Sequence, residues 1–507
     1  MGPAVALAAS LLLGVATVAS FAPFGYSALP VLTLAALFAL WRGAATPRAA
    51  AGIGFAFGAG LFGAGASWVY VALAKFGGME GVLAFLATAF FCSYYSFFLA
   101  ASGWLVARLT PKGSRGRLAA AAACWMLAEW LRSSFFSGFP WLSVGYAQTQ
   151  APLAGYAPLG GVFLVSFVIA LSAALLAHAS SALRARQSAA ATLAATVFAV
   201  LWIGGAALRS VEWSRPAGDP LAVSLVQGNV EQELKFDPNY RDQTLALYAD
   251  LVAQTKGRLV VLPESALPMF ADEVPPEYVS RLRAVAQGRS GDLMMGLFFF
   301  EPRVAGEDED RYFNSVISIG TSPTQTYRKR HLVPFGEAIP AKPLVGWFIH
   351  RVLHIPLADQ TPGSDDQTPF EIADQRVAVN ICYEDAFGNE LARELPEATL
   401  LVNVTNDAWY GRSLAAEQHE QIAAMRAVET SRPMLRATNT GITSIIDHRG
   451  AELARLPWFT RGVLEGAIAG RSGATPFVRV GNALAVVAAL VLLGGCVASA
   501  RRRSTET

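Results

Sequence analysis

The chain has 507 residues, of which 53% are hydrophobic and 15% are charged, and its formal net charge is +2. A soluble globular protein carries roughly 25% charged residues, so the composition excludes an ordinary water-soluble chain. With no basic patch among aromatic residues, nothing indicates nucleic-acid binding. Charges are sparse near both ends and ordinary in frequency between them. We therefore predict a transmembrane domain at 1–212, a water-soluble domain at 213–472, and a final transmembrane helix with a basic tail at 473–507.

Eight apolar stretches approach the roughly 20 residues that a membrane-spanning helix needs. Seven precede the soluble domain and one follows it, and the second and fifth are short. The first could instead be a signal peptide, but no basic residue precedes it and further spans follow at once. The predicted spans are Val5–Ala22, Ala28–Trp41, Ala51–Leu73, Gly81–Val106, Leu118–Trp130, Gly160–Ala182, Ala190–Leu208 and Phe477–Ser499.

Basic residues between these spans indicate how the chain crosses the membrane. They are concentrated in every second loop and after the last span, which is the pattern of cytoplasmic segments. We therefore expect both termini in the cytoplasm and the soluble domain on the opposite face. The residues concerned are Arg42, Arg48, Arg108, Lys112, Arg115, Arg117, Arg184, Arg186 and Arg501 to Arg503.

The soluble part alternates predicted strands with predicted helices, a pattern that indicates an α/β sandwich. The predicted helices are Tyr240–Gln254, Glu277–Ala286 and Ala415–Thr430. The predicted strands are Leu221–Gln227, Arg258–Leu262, Asp292–Phe299, Tyr312–Gly320, Val377–Ile381, Thr399–Val404 and Gly441–Asp447.

Three segments with reactive side chains lie at or near strand ends. They are V-V-L-P-E-S with Glu264, Y-R-K-R-H-L-V-P-F-G-E with Lys329, and N-I-C-Y-E-D with Cys382. A carboxylate can take the proton of a thiol, and an ammonium group can stabilise the oxyanion that forms when the sulfur attacks a carbonyl. Each residue alone has a structural explanation, as a turn residue, a solvated cation or a core cysteine. Together, in these three contexts, they indicate acyl chemistry at a thiol.

The remaining cysteines and histidines offer few alternatives. Cys92, Cys124 and Cys496 lie in apolar stretches, where cysteines usually behave as small hydrophobic residues. There is no CxxC motif and no Cys/His spacing typical of a metal site, so these residues do not indicate a metal centre. His331 could serve as the base of a cysteine protease, but Lys329 would crowd it from the same side of a strand.

The three reactive segments resemble the Glu-Lys-Cys signature of the nitrilase, or carbon–nitrogen hydrolase, superfamily. The second and third resemble the form found in the apolipoprotein N-acyltransferase family. Further segments similar to that family are F-A-P-F-G at 21–25, F-P-W at 139–141, Q-G-N at 227–229 and N-V-T-N-D-A-W at 403–409. The resemblance covers nearly the whole chain, and it implies about eight transmembrane helices and a nitrilase-like αββα sandwich.

The resemblance also implies residue roles. Glu264 would be the general base, Lys329 the oxyanion stabiliser and Cys382 the nucleophile. The family often has tryptophan where this chain has Phe236, so an indole N–H contact is lost here. Trp347 and Phe348 belong to an apolar segment, 339–357, that is either buried or an amphipathic arm over the acyl-chain entrance. Supporting residues would be Glu337, Tyr383 and Glu384, and candidate substrate-binding residues are Phe236, Trp347, Phe348 and Trp409.

The implied reaction has two steps and needs no cofactor. Cys382 takes an acyl chain from a phospholipid as a thioester, and the N-terminal amine of a diacylglyceryl-apolipoprotein then accepts it. We expect a monomer in a bacterial inner membrane, with its catalytic domain on the periplasmic face. Two alternatives remain, a membrane-tethered amidase or nitrilase and a non-catalytic receptor with a degenerate domain. The seven preceding spans argue against the first alternative, and the intact triad argues against the second.

Overall fold

A computed structural model describes residues 2–303, 310–338 and 359–505. The chain divides into two compact units. The first comprises Met1–Tyr70, Gly81–Glu212 and Arg479–Thr507, and the second comprises Val71–Glu80 and Trp213–Val478. The segment Val71–Glu80 therefore belongs to the second unit, although the sequence assigned it to the transmembrane domain.

The first unit is helical. Proline in the first turn begins several of its helices, where the missing N–H costs no hydrogen bond. Thr46 caps the helix that begins at Pro47, and Ser114 caps the helix that begins at Arg115. Their hydroxyls accept hydrogen bonds from the backbone N–H of Ala49 and Arg117. The helices are α1 Pro3–Val18, α2 Leu29–Gly43, α3 Pro47–Gly65, α4 Gly81–Leu109, α5 Arg115–Arg132, α6 Ala157–Arg184, α7 Ser188–Leu208 and the final helix Ala483–Thr505.

The predicted count of about eight spans is not confirmed. By length and composition, four described helices could cross a membrane, namely α4, α6 with its preceding turn, α7 and the final helix. A fifth requires the bent pair Pro47–Gly65 and Val69–Phe76 to act as one span, and α1 and α2 are shorter apolar helices. Within the predicted span Ala51–Leu73 the helix is interrupted: α3 ends at Gly65, and the Trp68 indole donates a hydrogen bond to the Gly65 carbonyl at 3.0 Å.

Glycine permits close packing of α3 against its neighbours. A Cβ atom on Gly60 would collide with the carbonyl oxygen of Leu11 in α1, and one on Gly54 would collide with that of Leu99 in α4. Small residues at such crossings let helix backbones approach closely in an apolar environment.

The second unit contains two six-stranded sheets. Their strands are β1 Ser214–Pro216, β2 Leu221–Gln227, β3 Leu259–Val261, β4 Asp292–Glu301, β5 Arg311–Gly320, β6 Thr326–Arg328, β7 Phe370–Ile372, β8 Gln375–Ile381, β9 Leu400–Thr405, β10 Met434–Thr438, β11 Thr443–Ile446, β12 Glu452–Leu456, β13 Gly462–Ile468 and β14 Arg471–Gly473. One sheet has the order β13-β2-β3-β4-β5-β6 and the other β12-β11-β10-β9-β8-β7, while β1 pairs with β14. Strands β2–β4 and β8–β10 are parallel within their sheets.

The two sheets pack face to face through apolar side chains such as Val223, Leu259, Val379 and Val402. Helices α8 Arg241–Gln254 and α9 Pro276–Gln287 cover the outer face of the first sheet, and α10 Ala415–Thr430 covers that of the second. This is the αββα sandwich predicted for the soluble domain. Each predicted strand is present within two residues at either end, whereas β1, β6, β7, β10 and β12–β14 were not predicted.

Candidate active site

The reactive residues lie where strands of both sheets end. Cys382 directly follows β8, Lys329 directly follows β6, and Glu264 follows β3 by three residues. Strands β3 and β8 belong to the parallel parts of the two sheets. The end of a buried strand is a rigid position from which a side chain can be directed into a site.

Lys329 lies between two carboxylates. Its Nζ atom is 2.7 Å from Oε1 of Glu337 and 3.5 Å from Oε1 of Glu264, and its side chain is 1% exposed. Burial by itself would lower the pKa of Lys329, but the two carboxylates outweigh it and the pKa is raised. The ammonium group is therefore a permanent positive charge in a fixed position.

Asn314, on β5, directs Glu264. Its amide Nδ2 donates a hydrogen bond to Oε1 of Glu264 at 2.7 Å. The residue was not among the predicted site residues, because nothing in Y-F-N-S-V distinguishes an asparagine that faces a carboxylate from a solvated one. Only the pairing of β4 with β5 brings it to the end of β3.

Cys382 is buried, and its backbone is in the left-handed region, with φ of 52°. A non-glycine residue in that region costs roughly 1–3 kcal/mol, and such residues are concentrated at functional sites. Burial, and after it the carboxylate of Glu264, raises the pKa of the thiol well above its ordinary value, while Lys329 lowers it by less. The resting thiol is therefore protonated and needs a base to become a nucleophile.

Glu384 connects the lysine loop to the nucleophile. Its carboxylate accepts hydrogen bonds from the backbone N–H of Ile381 at 2.6 Å and of Arg330 at 2.6 Å. It also accepts from the His331 N–H at 3.2 Å and the Tyr327 hydroxyl at 3.0 Å. Burial raises its pKa despite these donors. Glu384 therefore aligns the two backbone segments that carry Lys329 and Cys382.

The structure does not support His331 as a catalytic base. Its Nδ1 atom lies 3.0 Å from a carboxylate oxygen of Glu390, and its ring stacks on Phe387 with centroids 3.6 Å apart. Tyr383, another predicted supporting residue, is buried and contacts Phe387 edge to face. Both side chains therefore support the turn that carries the nucleophile.

Two of the four candidate substrate-binding residues are described, and both are exposed aromatics. Phe236 is 51% exposed beside Phe298, and Trp409 is 40% exposed beside Phe76 of the segment Val71–Glu80. Exposed aromatic side chains of this kind suit an apolar ligand. Trp347 and Phe348, with the whole predicted arm, lie outside the described residues.

A second buried lysine contacts the site and was not predicted. Lys235 is 3% exposed, and its Nζ donates to the backbone carbonyl of Glu264 at 3.0 Å. Ser265, the residue after Glu264, has a positive φ of 47°. Lys235 therefore holds the backbone next to a strained position. Burial lowers the pKa of Lys235 to about 8. The only sequence signal was its position next to Phe236.

In the described part of the chain, no group of three His, Cys, Asp or Glu side chains is arranged to hold a metal ion. The site instead combines a protonated thiol, a carboxylate and a fixed cation. These groups can deprotonate a sulfur nucleophile and stabilise the oxyanion of an acyl substrate.

Comparison with known proteins covers both units. A family model described as apolipoprotein N-acyltransferase N-terminal domain matches residues 13–175, and one described as carbon-nitrogen hydrolase matches residues 222–477. An apolipoprotein N-acyltransferase of Nitrosomonas europaea is 49% identical over 502 residues, or 98% of this chain and 99% of that protein. An apolipoprotein N-acyltransferase of Methylococcus capsulatus is 42% identical over 489 residues, which are 96% of this chain and 95% of that protein. Among solved structures, the C. elegans NitFhit protein matches 50% of this chain and 61% of its own at 18% identity, with a TM-score of 0.39.

Proposed function

Because this chain belongs to the apolipoprotein N-acyltransferase family, we propose that it moves an acyl chain from a membrane phospholipid to apolipoproteins through a thioester on Cys382. The acceptor is the N-terminal amine of a diacylglyceryl-modified cysteine, and the transfer completes lipoprotein maturation. The observation that carries the proposal is the strained, protonated Cys382 within electrostatic range of Glu264 and the fixed charge of Lys329.

The first step forms the thioester. Glu264 takes the thiol proton while the Cys382 sulfur attacks the ester carbonyl of the phospholipid. Lys329 and the backbone N–H after Cys382 stabilise the resulting oxyanion. The tetrahedral intermediate then loses the glycerol oxygen, which receives the proton from Glu264 and departs as a lysophospholipid.

The second step transfers the acyl chain to nitrogen. The free α-amine of the lipoprotein cysteine attacks the thioester carbonyl, and Glu264 takes a proton from that nitrogen. When the carbon–sulfur bond breaks, the thiolate regains a proton from Glu264 and the amide product leaves. The two steps use the same three residues in a ping-pong order, with the lysophospholipid leaving before the lipoprotein amine reacts.

The supporting residues act through the triad. Lys329 forms two ion pairs, and the one with Glu337 is the shorter. Its Nζ atom lies 2.7 Å from the Glu337 carboxylate and 3.5 Å from that of Glu264. Glu384 ties the lysine loop to the nucleophile, and Tyr383 supports the turn between them.

The membrane location follows from the family and the apolar helices, and the orientation follows from the basic loops. We propose that the enzyme is a monomer in the inner membrane of a bacterium, with both termini in the cytoplasm. The domain at 213–472, which follows the helical domain at 1–212 and precedes the anchor at 473–507 in the sequence, would then face the periplasm. A site at the bilayer surface limits the water that would otherwise hydrolyse the thioester.

The acyl chains require an apolar path to Cys382. We propose that Phe236 and Trp409 line it, because both are exposed aromatics. We assign Trp347 and Phe348 to an arm over the same path. Replacing both with aspartate should then reduce turnover of lipid substrates far more than it reduces the yield of folded protein, and an equal loss of both would contradict this role.

Intact-mass measurement of the purified protein incubated with phosphatidylethanolamine tests the proposal. We expect one added acyl chain on the wild type and none on Cys382→Ala. A synthetic diacylglyceryl-cysteine peptide should remove the adduct and appear as the N-acyl product.

The same measurement separates the alternatives. An amidase would form no adduct from phospholipid but would release ammonia from small amides, and a receptor would do neither. An adduct that water removes as fast as the peptide does would indicate a lipase instead. Absence of any adduct in folded protein would contradict the proposed function.

A further inference from the structure

Four charged side chains form a closed group behind the nucleophile, here called the buried quartet: Asp385, Asp407, His419 and Arg436. His419 Nδ1 lies 2.8 Å from Oδ1 of Asp407, and Nε2 lies 2.9 Å from Oδ1 of Asp385. The guanidinium of Arg436 lies 3.0 Å from the second oxygen of each aspartate. None of the four is more than 2% exposed.

The contacts determine the charge of the quartet. Because each ring nitrogen of His419 faces a carboxylate oxygen, both nitrogens carry protons and the ring is an imidazolium. Two positive and two negative charges then cancel, as buried charges must to avoid a large desolvation cost. Burial and Arg436 lower the pKa of His419, but Asp385 and Asp407 outweigh them and raise it to about 9.

The quartet also contacts the backbone of the nucleophile. The carbonyl oxygen of Cys382 accepts a hydrogen bond from Nδ2 of Asn403 at 3.1 Å, and Nε2 of His419 lies 3.3 Å from the same oxygen. Arg436 in turn donates to Oδ1 of Asn403 at 2.7 Å. Two donors therefore hold the carbonyl of a residue whose own backbone conformation is strained.

We propose that His419 is a positioning residue for the nucleophile: it holds the Cys382 carbonyl and, with Arg436, cancels the negative charge of the two aspartates behind the thiol. The inference rests on the proposed role of Cys382 as nucleophile. The expected consequence is electrostatic, because the carboxylate of Asp407 raises the pKa of the Cys382 thiol and would do so more strongly without its cationic partner.

Other titratable groups also face the thiol or the quartet, and they are the same in the wild type and in the variants of His419 and Asp385. The measured quantity is therefore the difference between variants and wild type, and not the absolute titration midpoint. These groups are Glu264, Lys329, Lys235, Tyr410 and, near Arg436, Glu420.

The test is the rate of alkylation of Cys382 by iodoacetamide between about pH 6 and 8, where His419 is protonated because its pKa is about 9. Alkylation is followed on the Cys382 peptide by mass spectrometry in detergent-solubilised full-length protein. Because the thiolate fraction rises about tenfold per pH unit below the thiol pKa, the offset between two variants along the pH axis gives the difference between their titration midpoints. His419→Gln leaves one net negative charge and should move the midpoint up by about one pH unit, the size expected for a unit charge several ångströms away at an effective dielectric of about 20. Asp385→Asn leaves one net positive charge and should move the midpoint down by a similar amount. The double variant restores neutrality and should titrate within about 0.3 units of the wild type.

Arg426→Gln is the matched control, because Arg426 lies on the same helix as His419 and pairs with buried Glu429 at 3.0 Å. It should destabilise the protein without moving the midpoint. If His419→Gln does not fold, the downward shift in Asp385→Asn and the recovery in the double variant still decide the matter.

Unchanged midpoints in folded variants, equal shifts in Arg426→Gln, or no recovery in the double variant would each overturn the inference. Because alkylation needs no lipid substrate, these results are independent of whether the protein transfers acyl chains. Failure of the acyl-adduct experiment with opposite shifts in the two single variants would refute the proposed function alone.

Discussion

Replacing Glu337 with glutamine should leave Lys329 positively charged but no longer held in its present position. At an effective dielectric of about 20, unit charges 2.7 Å apart attract by about 6 kcal/mol. Much of this is offset by desolvation, and Glu264 still faces the ammonium group. We therefore expect a stability loss of about 3 kcal/mol, the lower end of the range for breaking a buried ion pair.

The catalytic effect should be larger than the change in stability alone explains. Without Glu337, the ammonium group relaxes toward Glu264 and away from the developing oxyanion. Since losing one oxyanion donor costs about 10²–10³ in rate, we expect acylation to slow by about a hundredfold. The rate is measured as the time course of the acyl adduct by intact mass, with thermal unfolding measured on the same preparation.

Glu390→Gln provides the matched control for this prediction. Glu390 pairs with His331 in the neighbouring loop, and its substitution leaves both ion pairs of Lys329 in place. This variant should acylate within about threefold of the wild type, the scatter expected of substitutions away from the site. If folded Glu337→Gln also acylates within that range, Glu337 does not fix the position of Lys329.

Three further predictions address the base, the quartet and the apolar path. Asn314→Leu removes the 2.7 Å donor to Glu264 and should slow acylation about tenfold, for a loss of about 1.4 kcal/mol; an unchanged rate would exclude a role in orienting the base. Because the pKa of His419 is raised to about 9 from an ordinary value near 6.5, its stabilising effect is complete below pH 6.5 and lost as pH rises through 9. Unfolding free energies should therefore fall by about 3 kcal/mol over that interval in the wild type but not in His419→Gln. Phe236→Ala should reduce acyl transfer without changing thermal stability, Phe236→Trp should retain activity, and Leu453→Ala, at another exposed apolar position, should change neither.

The strands that precede Glu264 and Cys382 were predictable because they are short apolar runs, whereas β6, which precedes Lys329, was not predicted. In β3, and in β8 from Val377 onward, the side chains are buried on both faces. Hydrophobicity alone therefore identifies these strands, and the reactive residue follows just after the strand end. Strand β10 was not predicted, because Arg436 interrupts its apolar pattern. That arginine is fully buried. Its partners there are Asp385 and Asp407, 51 and 29 residues away in the chain, and Asn403, 33 residues away.

The sequence by itself determined the class of this protein: a membrane chain with one soluble α/β domain, three reactive segments and a family. It did so because hydrophobicity and strand-end motifs are local properties of the sequence, which do not depend on the residues that folding brings into contact. The family resemblance named Glu337, Tyr383 and Glu384 as supporting residues, and only the tertiary structure added Asn314, Lys235 and His419 to them. In the sequence, Asn314, Lys235 and His419 are ordinary polar residues. They acquire roles because folding excludes water from them and brings each one next to a polar group of the site. The end of α3 was likewise visible only in the structure, since hydropathy alone would continue the helix beyond Gly65, where the Trp68 indole donates to the Gly65 carbonyl.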